Sequence, residues 1–186
     1  RELYIRRFII YLLIFNLFIL NPLYAEELEK DLITTEYYIS YDITQDKILF
    51  FNNIDEKIYP ASLTKLMTAI ILLDSYNLDD YIVVKYPRNY KNIGKVAYIE
   101  EDKEISIENL IEFLLVYSAN DAAYIAALSV SDSIDNFVYL MNKKAKELNM
   151  LNTNYVNPDG IDDDNHYTTI RDLLNLTLIA INNNEL

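Results

Sequence analysis

Ser62 and Lys65 form the residue pair whose types and spacing best suit covalent catalysis. Residues three apart on a helix lie on one face, so the Ser62 hydroxyl and the Lys65 amine can approach each other. A serine hydroxyl becomes a good nucleophile when a base removes its proton, and a lysine of lowered pKa can be that base. The backbone N–H groups of a helix N-terminus beside Ser62 can also bind a developing oxyanion. The pair therefore predicts a serine nucleophile with a lysine general base.

The residues that follow Lys65 favour this interpretation. From Leu66 to Leu73 every residue is apolar except Thr68, so the predicted helix is apolar nearly all round. Such a helix is buried, and a lysine is rarely buried without a specific role. Burial also lowers the pKa of the lysine, as a general base requires. Ser-x-x-Lys is nevertheless a common pattern, and a capping serine followed by a solvated lysine remains the alternative.

A second polar group, Ser118-Ala119-Asn120, lies between two predicted helices. In a loop, a serine hydroxyl can relay a proton and an asparagine amide can orient a substrate carbonyl. Taken singly, the same residues fit more simply as one helix C-terminus followed by the next N-cap.

Together, these segments resemble the serine β-lactamases and penicillin-binding proteins, in which Ser-x-x-Lys precedes Ser-x-Asn and, later, Lys-Thr-Gly. The flanking residues narrow the resemblance to low-molecular-mass D-Ala-D-Ala carboxypeptidases (serine peptidase family S11), from about Tyr37 to Ile181. The segments that carry it are Tyr59-Pro-Ala-Ser-Leu-Thr-Lys-Leu-Met-Thr-Ala69, Ser118-Ala-Asn-Asp-Ala-Ala123, Asn157-Pro-Asp-Gly-Ile-Asp162 and His166-Tyr-Thr-Thr-Ile-Arg-Asp172.

The resemblance implies a reaction and the roles of four residues. Members of the family remove the terminal D-alanine from peptidoglycan stem peptides ending in D-Ala-D-Ala, without a cofactor, and β-lactam antibiotics inhibit them covalently. By the resemblance, Ser62 forms the acyl-enzyme and Lys65 is the general base. Ser118 relays a proton, and Asn120 orients Lys65 and the substrate amide.

The chain departs from the family pattern in two respects. Ala119 stands where the carboxypeptidases usually have glycine, and no Lys-Thr-Gly follows Asn120. In the family that motif binds the substrate carboxylate, and a nearby backbone N–H completes the oxyanion hole. We therefore expect residues 26–186 to be the N-terminal part of the catalytic domain, incomplete at the C-terminus and inactive alone.

Two other polar groups are weaker candidates. His166 matches a family position that precedes a helix, and because the mechanism uses lysine as base we expect no catalytic role for it. The run Asp162-Asp163-Asp164 lacks the spacing and closing glutamate of an EF-hand loop, so we expect a solvated turn rather than a calcium site.

Two alternative functions stay open at this point. A class A β-lactamase adds a glutamate that activates the deacylating water, and Glu147-Leu148-Asn149 superficially resembles that segment, although it ends a predicted amphipathic helix. The other alternative is an inactive fragment or protein that binds the cell wall. Such a protein would be expected to have lost Ser62 or Lys65, and both are present.

Strand and helix signals around these residues predict an α/β (α+β) fold, an antiparallel sheet flanked by a helical cluster. The resemblance implies the β-lactamase/DD-peptidase-like, penicillin-recognising version of it. The strand candidates are a hairpin formed by residues 36–42 and 47–51, then residues 81–86 and 96–99. The helix candidates run from Pro60 to Leu73, Ser106 to Tyr117, Asp121 to Val130, Ser133 to Leu148, and Thr168 or Thr169 toward Ile181.

Composition excludes some functions, and the N-terminus predicts a location. A net charge of −13 disfavours nucleic-acid binding, and the lack of cysteine with a single histidine excludes thiolate and His-rich metal centres.

A secretory signal is predicted over residues 1–25 by Arg6-Arg7, the apolar run Phe8–Leu20 and Ala25, with an uncleaved anchor as the alternative. We therefore expect export to the periplasm or the outer face of the cytoplasmic membrane. Many relatives also carry a C-terminal membrane-anchoring helix, so the resemblance leaves open a membrane association through a C-terminal segment outside these residues.

Overall fold

The bounds of the strands and helices come from a computed structural model that describes residues 33–186. The predicted signal segment, residues 1–25, lies outside the described residues. A 3₁₀ turn spans Ala61–Leu63, and a π-helical turn spans Glu112–Val116. In chain order the elements are β1 (Tyr38–Asp42), β2 (Lys47–Asn52), α1 (Thr64–Leu73), β3 (Tyr81–Val83), β4 (Glu104–Ser106), α2 (Ile107–Ile111), α3 (Asn120–Val130), α4 (Ile134–Glu147) and α5 (Ile170–Ile181).

The predicted hairpin is confirmed. Strands β1 and β2 pair antiparallel, with Tyr38 opposite Asn52 at the open end. The turn between them is held by the Asp42 carboxylate, which accepts hydrogen bonds from the backbone N–H groups of Thr44 (2.9 Å) and Gln45 (3.0 Å). An aspartate that binds the backbone two and three residues ahead stabilises a turn, and here the turn follows the Asp42–Lys47 pair at the closed end of the hairpin.

The second sheet differs in part from the prediction. Strand β3 forms within residues 81–86 as expected and pairs antiparallel with β4, whereas the strand expected over residues 96–99 does not form. Those residues are held by a side chain instead. The buried Asp121 carboxylate accepts the backbone N–H groups of Ala97 (2.9 Å) and Ile99 (3.2 Å), so this segment docks against the start of α3 and forms no ladder.

The helix starts follow their capping residues. The hydroxyls of Ser106, Ser133 and Thr169 each accept the backbone N–H three residues ahead, at 3.1–3.2 Å, and α2, α4 and α5 begin directly after them. The helix expected over residues 106–117 is divided, because its second half continues as the π-helical turn before Ser118.

Helix α1 lies between two hydrophobic clusters. Its Ala69 and Leu72 belong to a cluster with β3, α2 and α3, and its Met67 and Ile70 belong to a second one with α4 and α5. This confirms that α1 is buried on nearly every side, as its apolar sequence predicts. In residues 33–186, no helix is both long and apolar enough to cross a membrane.

Candidate active site

The turn before α1 presents Ser62 at the protein surface. Ala61 adopts a left-handed backbone conformation (φ +46°), and the 3₁₀ turn then brings the chain into α1. A left-handed alanine costs roughly 1–2 kcal/mol, so surrounding contacts must hold it there. Ser62 itself is exposed, while the two following turns of helix are buried. The serine is thus accessible to a substrate and directly follows a strained backbone position, as is common at functional sites.

Lys65 is buried directly beneath Ser62. Its side chain is 1% exposed, and Nζ lies 3.3 Å from Ser62 Oγ and 2.7 Å from the backbone carbonyl oxygen of Asp159. Burial lowers the pKa of Lys65, and the nearby Asp159 carboxylate opposes this by raising it. Burial in turn raises the pKa of Asp159. The predicted approach of Ser62 and Lys65 is therefore present in the structure.

This geometry suits proton transfer from Ser62 to Lys65. A neutral Lys65 amine has a lone pair that can accept the Ser62 proton while one of its N–H bonds still donates to Asp159. The 3.3 Å separation is long for such a bond, and contacts of this kind commonly shorten when the substrate binds. The lowered pKa favours the neutral amine that this role requires.

The segment Asn157–Gly160 carries part of the family resemblance, but the sequence predicted no role for it in the site. Besides the bond from Lys65 to Asp159, Thr68 Oγ1 donates to the Pro158 carbonyl oxygen at 2.7 Å. Gly160 (φ +86°) lies so close to the Ser62 turn that a Cβ atom there would sit 1.9 Å from the Ala61 carbonyl oxygen. Only a glycine fits this approach. The available signal was that one of the chain's two glycines occurs in this turn.

Asn120 is held by the segment before Val96. Its Nδ2 donates to the Ile93 carbonyl oxygen (2.8 Å), and its backbone N–H donates to the Lys95 carbonyl oxygen (2.7 Å). A Cβ atom on Gly94 would lie 2.7 Å from Asn120 Nδ2 and 3.8 Å from Ile161 Cδ1. No hydrogen bond joins Asn120 to Lys65 in the part of the chain that the structure describes, so its predicted role in orienting Lys65 stays a prediction.

Ser118 occupies a left-handed position (φ +63°) between the π-helical turn and α3. It is half-buried, and within residues 33–186 its hydroxyl has no hydrogen-bond partner. Ser118 and Ala119 lie in a loop as expected, whereas Asn120 is the first residue of α3, and proton relay by Ser118 stays a prediction.

A cleft adjoins Asp159 on the side of the 87–93 loop. Its volume is about 370 Å³, and Tyr90 and Tyr124 contribute to its lining together with Ile93, Asn157 and Ile161. The cleft shares Asp159 with the Lys65 contact and Ile93 with the Asn120 contact, but Ser62 does not line it.

The weaker candidates lie as follows. His166 is buried and its Nε2 lies 2.8 Å from Thr64 Oγ1. Asp162, Asp163 and Asp164 are all exposed in one turn, where the Asp163 carbonyl oxygen accepts the His166 N–H at 2.8 Å.

Glu147 ends α4 in an exposed position, within 4 Å of two lysines. Its partners are Lys143 (3.8 Å) and Lys144 (3.9 Å), and it makes no hydrogen bond or ion pair with Ser62 or Lys65. This gives no support to a β-lactamase role for Glu147.

The sequence profile of the D-alanyl-D-alanine carboxypeptidases, peptidase family S11, matches residues 25–185. The chain belongs to this family. This membership agrees with the exposed serine beside a buried lysine, and it confirms the resemblance drawn from the four sequence segments.

Individual members of the S11 family show how much of a whole protein the chain covers. The carboxypeptidase DacA of Haemophilus influenzae is 32% identical over 149 residues, which are 76% of this chain and 38% of that protein. A D-alanyl-D-alanine endopeptidase of Pseudomonas aeruginosa is 35% identical over 140 residues, or 75% and 45% of the two chains. The chain thus spans less than half the length of these curated relatives.

A solved structure of a similar protein confirms the expected fold class. The D-alanyl-D-alanine carboxypeptidase DacD of Francisella tularensis superimposes with a TM-score of 0.75 at 29% identity, over 81% of this chain and 38% of that one. The fold is the β-lactamase-like α/β fold of the penicillin-binding DD-peptidases, and the described residues supply its helical cluster and two antiparallel strand pairs.

Proposed function

We propose that the protein containing these residues is a serine-type D-Ala-D-Ala carboxypeptidase. It acts on peptidoglycan stem peptides and is acylated by β-lactam antibiotics. The observation that carries the proposal is the exposed Ser62 hydroxyl 3.3 Å from the amine of a lysine that is 1% exposed. Family membership of residues 25–185 supports it.

In the proposed reaction, Lys65 removes the Ser62 proton as Oγ attacks the carbonyl carbon of the penultimate D-alanine. The peptide bond then breaks, and the departing D-alanine takes up a proton that Ser118 relays from Lys65. Asn120 holds the substrate amide. Water hydrolyses the Ser62 ester by the same proton transfers in reverse, which regenerates the serine. A β-lactam follows the first step, but its opened ring stays attached.

Labelling with fluorescent penicillin tests the nucleophile and its base. In the full-length gene product, Ser62→Ala should abolish labelling, whereas Ser75→Ala, which removes a hydroxyl just after the end of α1, should not. Lys65→Ala should slow acylation by at least ~10², the scale of a general base. The exposed Lys85→Ala is the matched control. Labelling that persists in Ser62→Ala would rule out the proposed nucleophile.

Substrate assays separate this activity from its rivals. We expect D-alanine release from a peptide ending in D-Ala-D-Ala and slow turnover of nitrocefin. Because one relative is named an endopeptidase, a cross-linked peptide dimer belongs in the same assay. Faster cleavage of the dimer would assign endopeptidase activity instead, and rapid nitrocefin turnover would assign a β-lactamase.

We also propose that the protein is exported and that residues 1–25 are removed. The basic Arg6-Arg7, the apolar run Phe8–Leu20 and Ala25 support this. N-terminal sequencing of the mature protein should begin at Glu26, and cell fractionation should place it outside the cytoplasmic membrane. Retention of residues 1–25 would favour an uncleaved anchor.

A further inference from the structure

Thr64 and His166 form a buried hydrogen bond beside the proposed catalytic pair. Thr64 lies between Ser62 and Lys65 in the chain and is the first residue of α1. Its Oγ1 is 2.8 Å from His166 Nε2, and the two residues are 0% and 1% exposed. The only histidine of the chain therefore contacts the turn that presents the nucleophile, although neither proposed proton transfer uses it.

The direction of this bond follows from the other ring nitrogen. The backbone N–H of Val156 donates to His166 Nδ1 at 3.1 Å, and a backbone N–H can only donate. Nδ1 is therefore unprotonated, and the proton of the neutral ring resides on Nε2. Burial lowers the pKa of His166 to about 4, so the ring stays neutral near pH 7. His166 thus donates to Thr64 and accepts from Val156.

The imidazole is fixed from several sides. The Tyr155 ring packs edge-on against it, with centroids 5.5 Å apart. The backbone N–H of His166 donates to Asp163 at 2.8 Å, and neighbouring Tyr167 exchanges two backbone hydrogen bonds with Asn154. A ring held this firmly can impose its position on the Thr64 hydroxyl.

We propose that His166 is a positioning residue, which holds the first turn of α1 through Thr64 so that Ser62 and Lys65 stay in proton-transfer geometry. This inference rests on the proposed function. The turn needs such support because Ala61 is left-handed (φ +46°) and regular helix begins only at Thr64. Loss of the donor would leave the Thr64 hydroxyl buried without its partner and let the turn relax. Even a small displacement of catalytic atoms slows the reaction strongly.

Two amide substitutions separate the two hydrogen bonds of the ring. His166→Gln places an amide N–H near the Nε2 position and so keeps the donor to Thr64. His166→Asn places an amide oxygen near the Nδ1 position, so it keeps the acceptor for Val156 and loses the donor. In the full-length protein we expect His166→Gln to be acylated by penicillin at nearly the parent rate. His166→Asn should be slower by about tenfold, with reversible β-lactam binding unchanged.

Thr64→Val provides the reciprocal change, because it removes the accepting hydroxyl and preserves shape. It should slow acylation as much as His166→Asn, and the double variant should be no slower than either single one, as expected for two ends of one bond. Melting temperatures of all variants identify effects that come only from unfolding.

The outcomes are distinguishable. Equal acylation of the parent, His166→Asn and Thr64→Val would overturn this inference and leave the proposed nucleophile standing. A parent protein that penicillin does not label would overturn the proposed function itself. Nitrogen NMR of the His166 ring gives an independent readout even if a variant fails to fold. We expect the Nε2–H tautomer at pH 7, and a proton on Nδ1 would overturn the assignment.

Discussion

The Lys65 amine experiences two opposing electrostatic influences. Burial lowers its pKa, and the Asp159 carboxylate raises it. A general base must be neutral before it can accept a proton, so acylation should accelerate as the pH rises through the Lys65 pKa. Asp159 therefore affects the pH range of activity although its side chain makes no hydrogen bond to Ser62 or Lys65.

Asp159→Asn should shift the acidic limb of the acylation rate to lower pH. Asn keeps the backbone carbonyl that accepts from Lys65 but removes the negative charge that stabilises the ammonium form, so the Lys65 pKa falls further. The measurement is the penicillin acylation rate against pH in the full-length protein. Asp79→Asn, at an exposed position, is the matched control. A shift to higher pH would contradict the assigned role of the charge.

The buried His166 should make stability depend on pH. Its pKa falls from 6.5 to about 4 on folding, although the nearby Asp162 and Asp163 charges act to raise it. Because the folded state binds this proton less readily than the unfolded state, its contribution is complete above pH 6.5 and is lost as the pH falls toward 4. The loss amounts to about 3 kcal/mol.

Denaturant unfolding of the parent and His166→Gln, measured from pH 7 to pH 4, checks this prediction. The parent should lose more free energy of unfolding than the variant over that range. Subtracting one free energy of unfolding from the other cancels the acid sensitivity that the carboxylates give both proteins. Parallel curves of this free energy against pH would show that His166 does not titrate in this way.

At the residue scale, the sequence predicted those contacts that depend on short spacing. Ser62 and Lys65 meet because they are three apart on a helix. The partner of Lys65 was not predictable, since the carbonyl of Asp159 lies 94 positions away and any residue type can supply a backbone oxygen. The same holds for Asn120, whose amide binds the Ile93 carbonyl 27 positions away.

At the scale of elements, two loops are fitted against the helices that carry the proposed site. The 93–95 segment binds Asn120 at the start of α3, and the 157–160 segment binds α1 through Lys65 and Thr68. The helices themselves were predictable, because caps such as Ser106 and Thr169 are local signals. The β3–β4 pairing was missed because β4 is only three residues long and Asp121 takes up the N–H groups of the expected strand.

Gly160→Ala should disrupt the site more than Gly94→Ala. The added Cβ at Gly160 would meet backbone, 1.9 Å from the Ala61 oxygen, whereas at Gly94 it would meet the end of the Asn120 side chain at 2.7 Å. We expect Gly160→Ala to reduce penicillin acylation strongly and to cost more free energy of unfolding than the roughly 1–2 kcal/mol of a left-handed alanine. Gly94→Ala should preserve the fold and displace Asn120.

Asn149→Ala is the control for backbone conformation alone. Asn149 is also left-handed (φ +58°) but lies after α4, in an exposed position. Denaturant unfolding and penicillin labelling of the three variants distinguish the effect of a steric clash at Cβ from the cost of a left-handed backbone at alanine. A Gly160→Ala protein that behaves like Asn149→Ala would show that the Ser62 turn tolerates displacement.

At the scale of the whole molecule, the β1–β2 sheet leaves apolar surface uncovered in the described region. It has two strands there, and Leu49 and Phe51 of β2 are 52% and 57% exposed. A two-stranded sheet is marginal in water, and an apolar edge promotes association with other chains.

Residues 26–186, produced as a separate polypeptide, should be poorly soluble and release no D-alanine from a D-Ala-D-Ala peptide. These residues contain no Lys-Thr-Gly, so this polypeptide lacks the carboxylate-binding lysine and the second oxyanion donor that family resemblance assigns to that motif. Loss of one such donor alone costs ~10²–10³ in rate. The full-length gene product serves as the positive control. Release by the monodisperse polypeptide, abolished by Ser62→Ala, would contradict the prediction.

The two glycines have a consequence for how such genes diverge. Eight non-glycine residues between positions 33 and 186 adopt positive φ, so this chain fills most left-handed turns with other residue types. Glycine remains at Gly94 and Gly160, where a Cβ would strike Asn120 and the turn before Ser62. The wealth of Asn, Ile, Lys and Tyr fits AT-rich coding, which drifts away from the GC-rich glycine codons. Selection against steric collision would then oppose that drift at two codons, those of the glycines that pack against Asn120 and against the turn before Ser62.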